Sequence, residues 1–418
     1  MKIWTICQYF KPEVGAPSAR LSGLARYWAS QGHDVTVLSS VPNHPTGIVH
    51  PGFEKIKNYQ IDEDADGYRI LRHKFYMTPN NGFIKKSLMH LSFAWRVLVV
   101  NYFNPPVEKP DVILVSSPSF FVVISAWLLS RKYKVPYVFE VRDLWPGIFK
   151  ELGTLKNPFI LKTLEKLELF LYRRAKAVVT VTKGFAKDIA ARGIDAKKLF
   201  VITNGVSDAE FETAQDSKKS GAVDKLRATL QLNSMTKVML YIGTHGPSQA
   251  LGQIIDAARS MMDRSDVLFL FVGDGADKER IQKLAKGMPN VDFKPAVGKE
   301  DVWTYYNMAH ASFVPLKDTP GFDTFIPSKM FELFATGTPI IACLRGEAAE
   351  ILNKSKAAIV VDPEDPEQLS EAVASLVDST SRSNKMREAG PAFVSEFYLH
   401  SRLGQYYLNI FDKVTKED

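Results

Sequence analysis

Lys329 and Glu332 lie three residues apart at the start of a predicted helix, within FIPSKMFELFATGTPII (residues 325–341). Ser328 is a typical helix cap, and Gly337 is typical of a helix end. A helix N-terminus favours phosphate through its free N–H groups and positive partial charge, and Lys329 adds a full charge. Glu332 has apolar neighbours, so its carboxylate needs donors such as ribose hydroxyls. The pair indicates a nucleoside diphosphate site; the alternative is a solvated Lys329 and a Glu332 that interacts with the helix dipole.

Two glycine-containing loops follow predicted strands in the second half of the chain, within YIGTHGPSQ (residues 241–249) and FVGDGADKERI (residues 271–281). Glycine allows backbone N–H groups to approach a phosphate closely, although either loop is also typical of an ordinary turn. The candidate donor contacts in these loops are Gly243, Thr244, His245, Gly273 and Asp274.

Gly15 lies between the first predicted strand and the first predicted helix, in QYFKPEVGAPSAR (residues 8–20). Ser18 is able to cap this helix, and the backbone at Gly15 and Ala16 could bind an anion. A plain loop with a helix cap is the alternative. The segment lacks the GxGxxG spacing of dinucleotide-binding proteins, which argues against a dehydrogenase.

Arg142, Asp143 and Trp145 follow another predicted strand, in EVRDLWPG (residues 140–147). Ligands of open α/β sheets bind at such strand ends, and an aspartate beside an arginine and a tryptophan suits a sugar or polyol. The two charges could equally pair with each other, with Asp143 as a cap and Trp145 as a packing residue. The residues alone leave both interpretations open.

The elements that must position these residues alternate between strand and helix patterns in both halves of the chain. Such alternation predicts parallel sheets covered by helices, and hence an α/β protein. The pattern restarts after a polar stretch, which predicts two Rossmann-like domains facing a central cleft, residues 1–205 and 206–394, with a linker near 206–236. An amphipathic helix over about 395–418 is expected to pack back on the first domain.

The 418 residues suffice for two domains, and 45% hydrophobic and 24% charged residues are ordinary for a globular protein. Net charge is +7, but residues 1–205 hold 29 Lys and Arg against 16 Asp and Glu, whereas residues 206–418 hold 24 against 30. The basic first half indicates an anionic partner: a lipid surface, an anionic acceptor or nucleic acid.

Cys7 and Cys343 lie in predicted strands, as reduced core cysteines of a cytosolic protein do, and no metal-binding motif accompanies them.

Two apolar segments of the first half raise the question of a membrane. Residues 112–129 approach the length of a membrane span, but Pro118 predicts a buried strand followed by an apolar helix. The segment Gly82–Phe103 combines Lys85, Lys86 and Arg96 with large apolar residues. That combination suits a helix lying on an anionic bilayer; the alternative is a buried helix with a basic collar.

Several of these stretches, in their order along nearly the whole chain, resemble glycosyltransferases of family 4, which have the two-domain GT-B fold. The stretches are VRDLWP, VTVTKGF, ITNGV, YIGTHGPSQ, FVGDG, IPSKMFELFATGTPII and GEAAEI. Within the family they are similar to a bacterial subgroup of L-fucosamine transferase type. The resemblance implies retaining transfer from a nucleotide diphosphate sugar, with the nucleotide in the second domain and the acceptor in the first.

The resemblance also implies roles for individual residues. Glu332 matches the second glutamate of the family's Glu-x7-Glu motif, which holds the ribose, whereas Thr324 occupies the position of the first. The family's diphosphate-binding Arg and Lys fall near Thr244 and Gln249, which are uncharged. We therefore expect Lys329 to supply the missing cation, and Asp143 to lie near the acceptor. The remaining candidate donor contacts are Val297, Phe325, Ile326 and Ser328.

These expectations describe a metal-independent enzyme without a cofactor that uses a UDP-linked N-acetylated amino sugar, a GDP-sugar being less favoured. The acceptor is expected to be a polyprenyl diphosphate-linked glycan of O-antigen or capsule biosynthesis, met on the inner face of a bacterial plasma membrane. One alternative is an epimerase-like enzyme that processes nucleotide sugars without transfer. Another is a basic binding protein, although no nucleic-acid motif is present and nucleic acid is not the expected partner.

Overall fold

A computed structural model describes residues 1–13, 15–79, 82–147, 157–218 and 221–416. The chain forms two compact units: Met1–Thr203 with His400–Asp418, and Asn204–Leu399. Each is a parallel sheet with helices, so the prediction of a two-domain α/β protein is confirmed. In the described ranges, no helix is both long and apolar enough to span a bilayer.

The helices and strands follow each other as the alternating sequence pattern predicts. From the start of the chain to residue 203 they are β1 (Lys2–Ile6), α1 (Ala16–Ser30), β2 (Asp34–Ser40), β3 (Tyr59–Glu63), β4 (Arg69–His73), α2 (Phe83–Phe103), β5 (Val112–Ser116), α3 (Val122–Tyr133), β6 (Tyr137–Val141), α4 (Pro158–Arg174), β7 (Ala177–Thr180), α5 (Lys183–Ala191) and β8 (Leu199–Val201). From residue 204 onward they are α6 (Asp208–Asp216), α7 (Ala222–Thr229), β9 (Lys237–Ile242), α8 (Gly252–Arg259), β10 (Val267–Val272), α9 (Lys278–Leu284), β11 (Val291–Lys294), α10 (Lys299–Met308), β12 (Ala311–Pro315), α11 (Lys329–Thr336), β13 (Ile340–Cys343), α12 (Gly346–Ser355), β14 (Ala358–Val361), α13 (Pro366–Val377), α14 (Thr380–Phe397) and α15 (His400–Lys416).

The first unit has an eight-stranded sheet in the order β3-β4-β2-β1-β5-β6-β7-β8, in which only β3 is antiparallel to its neighbour. Strands such as β5 are apolar along their length because helices cover both faces of the sheet. The segment 112–129 is thus divided into β5 and the start of α3, as Pro118 predicted. Cys7 is a buried free thiol here, as expected.

The last helix, α15, belongs to the first unit, where it packs along α1. Two glycines allow the helices to approach closely: a Cβ on Gly23 would lie 1.9 Å from the His400 ring, and one on Gly404 would lie 2.4 Å from the Tyr27 ring. The Trp28 indole donates a hydrogen bond to the Gly404 carbonyl over 3.0 Å. The helix α15 therefore forms part of the core of the first unit.

The second unit has a six-stranded parallel sheet in the order β11-β10-β9-β12-β13-β14. The prediction of a linker at 206–236 is wrong, because α6 and α7 occupy this stretch and pack on the unit. A capping box between Ser207 and Glu210 starts α6. The stretch is polar because these two helices lie at the surface: α6 buries Ala214, whereas α7 packs only through half-buried apolar residues such as Leu226.

Candidate functional site

In the second unit, the helix α11 and the ends of β9 and β10 bring together several of the predicted donor residues. The Lys329 ammonium lies 4.1 Å from the centre of the Tyr241 ring, a cation–π contact. A Cβ added to Gly243 would lie 3.0 Å from the same nitrogen, so the lysine fits because this residue is glycine. In the described part of the chain, no acceptor forms a hydrogen bond or ion pair with the Lys329 side chain. The lysine is thus a poorly compensated positive charge at the start of α11.

Burial lowers the pKa of Lys329 to about 8, and the nearby carboxylate of Glu332 opposes this only in part. The lysine loses its proton more readily in the folded protein than in the unfolded chain. A bound diphosphate would reverse this effect, because an adjacent anion favours the charged ammonium.

We therefore expect pH to act oppositely on ligand binding and on stability. Between the folded pKa near 8 and the ordinary 10.5, the unfolded chain binds more protons, so the free energy of unfolding rises with pH. Over the same range the affinity for UDP should fall by up to roughly tenfold per pH unit, because binding should take up a proton. Calorimetric titration with UDP at several pH values, in buffers of different ionisation enthalpy, measures both effects. Equal affinity and no proton uptake above pH 8 would contradict the role given to Lys329.

Glu332 lies one turn further along α11 and is only partly exposed, whereas Phe331 and Leu333 beside it are fully buried. Its Oε2 accepts a hydrogen bond from the Tyr306 hydroxyl over 3.1 Å. Burial raises the pKa of Glu332, and the positive charge of Lys299 is the main opposing influence. This carboxylate has a supporting donor and can still accept hydrogen bonds from a ligand.

The prediction that Ser328 caps α11 is wrong. Ser328 has helical dihedral angles (φ −59°, ψ −28°), from which its side chain makes no capping hydrogen bond. Its hydroxyl instead accepts a hydrogen bond from the Asn204 amide over 3.4 Å. The turn starts one residue earlier, since the Met330 N–H bonds to the Pro327 carbonyl. No side chain therefore occupies the position of a cap in front of this helix.

The glycines of the two loops have a packing role. A Cβ on Gly273 would lie 1.9 Å from the Gly243 carbonyl oxygen, and one on Gly275 would lie 2.4 Å from the His245 carbonyl oxygen. The backbones also form hydrogen bonds: His245 N–H donates to the Asp274 carbonyl and Asp277 N–H to the His245 carbonyl, each over 2.8 Å. The two loops after β9 and β10 thus form one tightly packed structure next to Lys329.

The His245 side chain is fully buried between the rings of Tyr241 and Phe271. Among the residues that the structure describes, neither of its ring nitrogens has a hydrogen-bond partner. Burial lowers the pKa of His245, which favours the neutral form of its ring. His245 therefore adds no positive charge to the site, whose cations are Lys329 and Lys278, the latter donating to the Gly273 carbonyl over 2.7 Å.

The other predicted donor residues of this unit differ in exposure. Thr244 is exposed, and its carbonyl accepts a hydrogen bond from the Tyr241 hydroxyl. Asp274 is exposed and accepts a hydrogen bond from the Gly275 N–H. Val297 is half-buried, Phe325 is half-exposed and Ile326 is buried. Phe325 is thus the large apolar side chain among them that is open to a ligand.

In the first unit, Gly15 and Ala16 are exposed at the start of α1, and Ser18 is buried within the helix rather than capping it. The prediction of a Ser18 cap is wrong, because Gly15 takes the capping position and Pro17 lies in the first turn. Pro17 is favoured there, since proline tolerates the first turn of a helix. A Cβ added to Gly15 would make only an ordinary contact with the Pro17 ring, over 3.8 Å.

Arg142 and Asp143 follow β6, as predicted. Burial raises the pKa of Asp143, and the positive charge of Arg142 opposes this rise. Among the described residues, none forms a hydrogen bond or ion pair with the Asp143 carboxylate. Trp145 stacks on Phe120, with ring centres 5.3 Å apart and an interplanar angle of 13°. Trp145 therefore packs against other aromatic residues, as the purely structural interpretation predicted. Arg142 and Asp143, however, do not form the direct ion pair that the same interpretation predicted.

Glu140 is the centre of a buried polar network that sequence reasoning missed. Its carboxylate accepts hydrogen bonds from the Arg20 guanidinium over 3.0 Å, the Ser116 hydroxyl over 2.7 Å and the Tyr407 hydroxyl. Burial alone would raise its pKa, but the arginines and hydroxyls hold the pKa at about 2. A glutamate inside the apolar strand YVFEV was the available signal, because a buried carboxylate requires partners.

Glu13 is a second carboxylate that the sequence did not single out. It accepts backbone hydrogen bonds from Phe10, Asn43 and His44 over 3.2, 2.7 and 2.8 Å. Glu13 thereby fixes the loops after β1 and β2, which border the sheet edge where Arg142 and Asp143 lie.

Two family models cover most of the chain. Residues 15–205 match the model described as a glycosyl transferase 4-like domain, and residues 222–393 match the glycosyl transferases group 1 model. WcaI of Escherichia coli (strain K12), assigned as a colanic acid biosynthesis glycosyl transferase, is 26% identical over 88% of this chain and 90% of its own. TuaH of Bacillus subtilis (strain 168), assigned to teichuronic acid biosynthesis, is 27% identical over about half of each chain (51% and 52%).

Solved structures resemble the whole chain. Sucrose-phosphate synthase from Thermosynechococcus elongatus has a TM-score of 0.71 at 16% identity, covering 100% of both chains. HepE from Anabaena, solved in complex with UDP-glucose, has a TM-score of 0.67 at 15% identity and covers 99% of this chain and 100% of its own. At these identities the likeness concerns the fold.

Proposed function

We propose that this chain, which belongs to the glycosyltransferases of family 4, transfers a sugar from a UDP-sugar to a lipid-linked glycan. Its fold is the GT-B fold. The observation that carries the proposal is the pair Lys329 and Glu332 on the uncapped start of α11. The relatives assigned to colanic and teichuronic acid biosynthesis support a role in bacterial surface polysaccharide formation, of O-antigen or capsule type.

The donor diphosphate would lie at the start of α11, where Lys329 and the helix N–H groups supply positive charge. Glu332 would accept hydrogen bonds from the ribose hydroxyls, while Tyr306 orients its carboxylate. We propose UDP as the nucleotide, in line with the UDP-glucose complex of HepE, and an N-acetylated amino sugar of the L-fucosamine transferase type.

The reaction proposed is retaining and metal-independent. As the bond from the anomeric carbon to the diphosphate oxygen breaks, negative charge grows on the leaving group. Lys329 and the start of α11 would stabilise that negative charge, and this stabilisation would lower the activation barrier of the transfer. In the first unit, Asp143 would orient the acceptor hydroxyl and receive its proton, and its raised pKa suits that exchange.

The surface of α2 supports a membrane-bound acceptor. Four large apolar side chains recur along one side of this helix and are 39–64% exposed; we call Leu88, Leu91, Trp95 and Tyr102 the α2 stripe. The opposite side, including Phe93 and Val97, is buried in the core. The helix α2 thus packs on the core with one side and exposes apolar side chains on the other.

Basic residues lie at both ends of the α2 stripe. Lys85 and Lys86 are exposed in the first turn, and the Lys132 ammonium lies 4.7 Å from the Tyr102 ring centre. Apolar side chains beside lysines suit the boundary of an anionic bilayer. We propose that the protein is cytoplasmic and binds the inner face of the plasma membrane through this stripe.

Replacing Trp95 and Leu91 together by serine is expected to weaken binding to anionic phospholipid vesicles by roughly tenfold, because their apolar area no longer leaves water. Vesicle sedimentation measures this directly. Ile48→Ser, which changes another exposed apolar residue of the same unit, is the matched control and should leave binding unchanged. If the double variant sediments like the wild type, the stripe is not the membrane contact.

The proposed function is tested by thermal unfolding with UDP, GDP, ADP, NAD and UDP-sugars, followed by product analysis. A ligand at a hundred times its dissociation constant stabilises a protein by about 2.7 kcal/mol, which is readily detected. Selective stabilisation by UDP, together with sugar transfer only when lipid-linked acceptor is present, is the expected result. Consumption of a UDP-sugar without an acceptor product would instead identify an epimerase-like enzyme.

A further inference from the structure

Three neighbouring strands of the first unit end in buried hydrogen-bond donors that have no partner. The strands β1, β5 and β6 are adjacent, with Ile6 opposite Val115 and Ser116 opposite Glu140. Gln8, Ser119 and Arg142 follow these strands and therefore lie along one edge of the sheet. Nε2 of Gln8, Oγ of Ser119 and Nη1 of Arg142 are each buried without a hydrogen-bond partner in the described part of the chain.

Arg142 is the most informative of the three. Its side chain is only 9% exposed, and its nearest carboxylate oxygen, Oε1 of Glu140, is 3.9 Å away, too far for a hydrogen bond. Glu140 is already engaged by Arg20 and two hydroxyls. The positive charge of Arg142 is therefore incompletely compensated, and burial lowers its pKa. A buried guanidinium without hydrogen-bonded partners is costly, unless a ligand supplies them.

The other two residues support this interpretation, because each has a buried donor without a partner among the described residues. Oε1 of Gln8 accepts a hydrogen bond from Nδ1 of His90 over 2.6 Å, which leaves the amide nitrogen as the unused group. Ser119 is fully buried next to Phe120, on which Trp145 stacks. The backbone N–H of Arg142 donates to the Ser117 hydroxyl over 2.8 Å, which ties the ends of β5 and β6 together.

We infer that this edge binds an anionic group of the acceptor, a phosphate or a carboxylate, with Arg142 as its main contact and Gln8 and Ser119 as additional donors. The inference rests on the proposed function, and it names the chemical class of the acceptor. Arginine presents parallel N–H groups that match the two oxygens of either anion. A neutral sugar hydroxyl would leave the charge of Arg142 uncompensated, so the site should discriminate against uncharged acceptors.

Asp143 would then lie beside the bound anion. The positive charge of Arg142 would offset only part of the repulsion between the Asp143 carboxylate and the anion. The anion would therefore raise the pKa of Asp143 further. An aspartate that is readily protonated can take up and release the proton of an acceptor hydroxyl. The anion site and the proposed proton acceptor are thus compatible on the same sheet edge.

The test uses full-length protein with Lys329→Ala, so that anions cannot bind through the donor lysine. Thermal shift and calorimetry are measured with farnesyl diphosphate, methyl glucuronide and neutral methyl glucoside. We expect one of the two anions to bind and the glucoside not to bind, and the anion that binds distinguishes a lipid diphosphate from a uronic acid. Adding Arg142→Gln should weaken anion binding at least tenfold, Arg142→Lys should restore part of it, and Arg131→Gln, an exposed basic residue of the same unit, should have no effect.

Binding of neither anion, or equal binding with Arg142→Gln, overturns the inference. UDP binding to Arg142→Gln in a chain with native Lys329 shows that the fold and the donor site are intact, so failure here is separable from failure of the proposed function. If Arg142→Gln does not fold, Ser119→Ala replaces it, with an expected severalfold loss of anion affinity. Unchanged affinity in Ser119→Ala then overturns the inference in the same way.

Discussion

Lys329→Ala is expected to lower donor-sugar turnover by more than tenfold. The lysine lies over the Tyr241 ring and next to Gly243, and no acceptor among the described residues forms a hydrogen bond or ion pair with its side chain. Its positive charge is therefore available to a ligand. We expect the ammonium to stabilise mainly the negative charge that develops on the diphosphate as this group leaves. Because stabilisation of a developing charge lowers the barrier itself, we expect the larger change in kcat rather than in KM.

Two variants make this prediction specific. Lys329→Arg keeps the charge but has a wider head group, so it should keep part of the activity only if space near Gly243 permits. Lys286→Ala removes an exposed lysine of the same unit and should have no effect. Steady-state rates with UDP-sugar and acceptor decide the matter: near-normal turnover in Lys329→Ala would show that another group neutralises the diphosphate.

Glu332→Ala is expected to weaken strongly the stabilisation of the protein by UDP at concentrations that saturate the wild type. The carboxylate is partly buried and oriented by Tyr306, so its preferred additional donors are the two hydroxyls of a ribose. Hydrogen bonds to a charged group contribute about 1.5–3 kcal/mol, which corresponds to a loss of affinity of roughly ten- to a hundredfold.

The choice of ligand separates this role from a structural one. Removing the carboxylate relieves its desolvation but leaves the buried Tyr306 hydroxyl without its acceptor, so the unfolding temperature of the free variant should change little. UDP should discriminate between wild type and variant, whereas inorganic pyrophosphate, which lacks ribose, should not. Glu371→Gln, at an exposed position of the same unit, is the control. Retention of the full UDP effect in Glu332→Ala would assign ribose binding to other residues.

The alternation of strands and helices and the Lys329–Glu332 pair could be predicted from sequence because both depend on local spacing. Ser328 shows the limit of such local rules. Serine favours the capping position, but only its backbone dihedral angles decide whether its side chain reaches the free N–H groups, and these are set by the turn that begins at Pro327. The polar stretch before β9 was wrongly predicted to be a linker for a similar reason, since surface helices and linkers have similar amino-acid compositions.

The network around Glu140 could not be predicted, because its partners are distant in sequence. Arg20 is 120 residues before Glu140, and Tyr407 is 267 residues after it. A single sequence contains no information on which distant residues meet unless the fold is known. The same applies to the environment of Arg142, since the incomplete compensation of its charge is apparent only when the partners of Glu140 have been identified.

The packing of α15 on α1 has a consequence for biosynthesis. The second unit is continuous in sequence, so its core can be completed once Leu399 has left the ribosome. The first unit, although translated earlier, lacks Tyr407 and Phe411 against Trp28 until the later helix has been made. Its nascent core, including the tyrosine hydroxyl that Glu140 requires, therefore stays incomplete during translation of nearly two hundred residues, a period in which a chaperone would be of use.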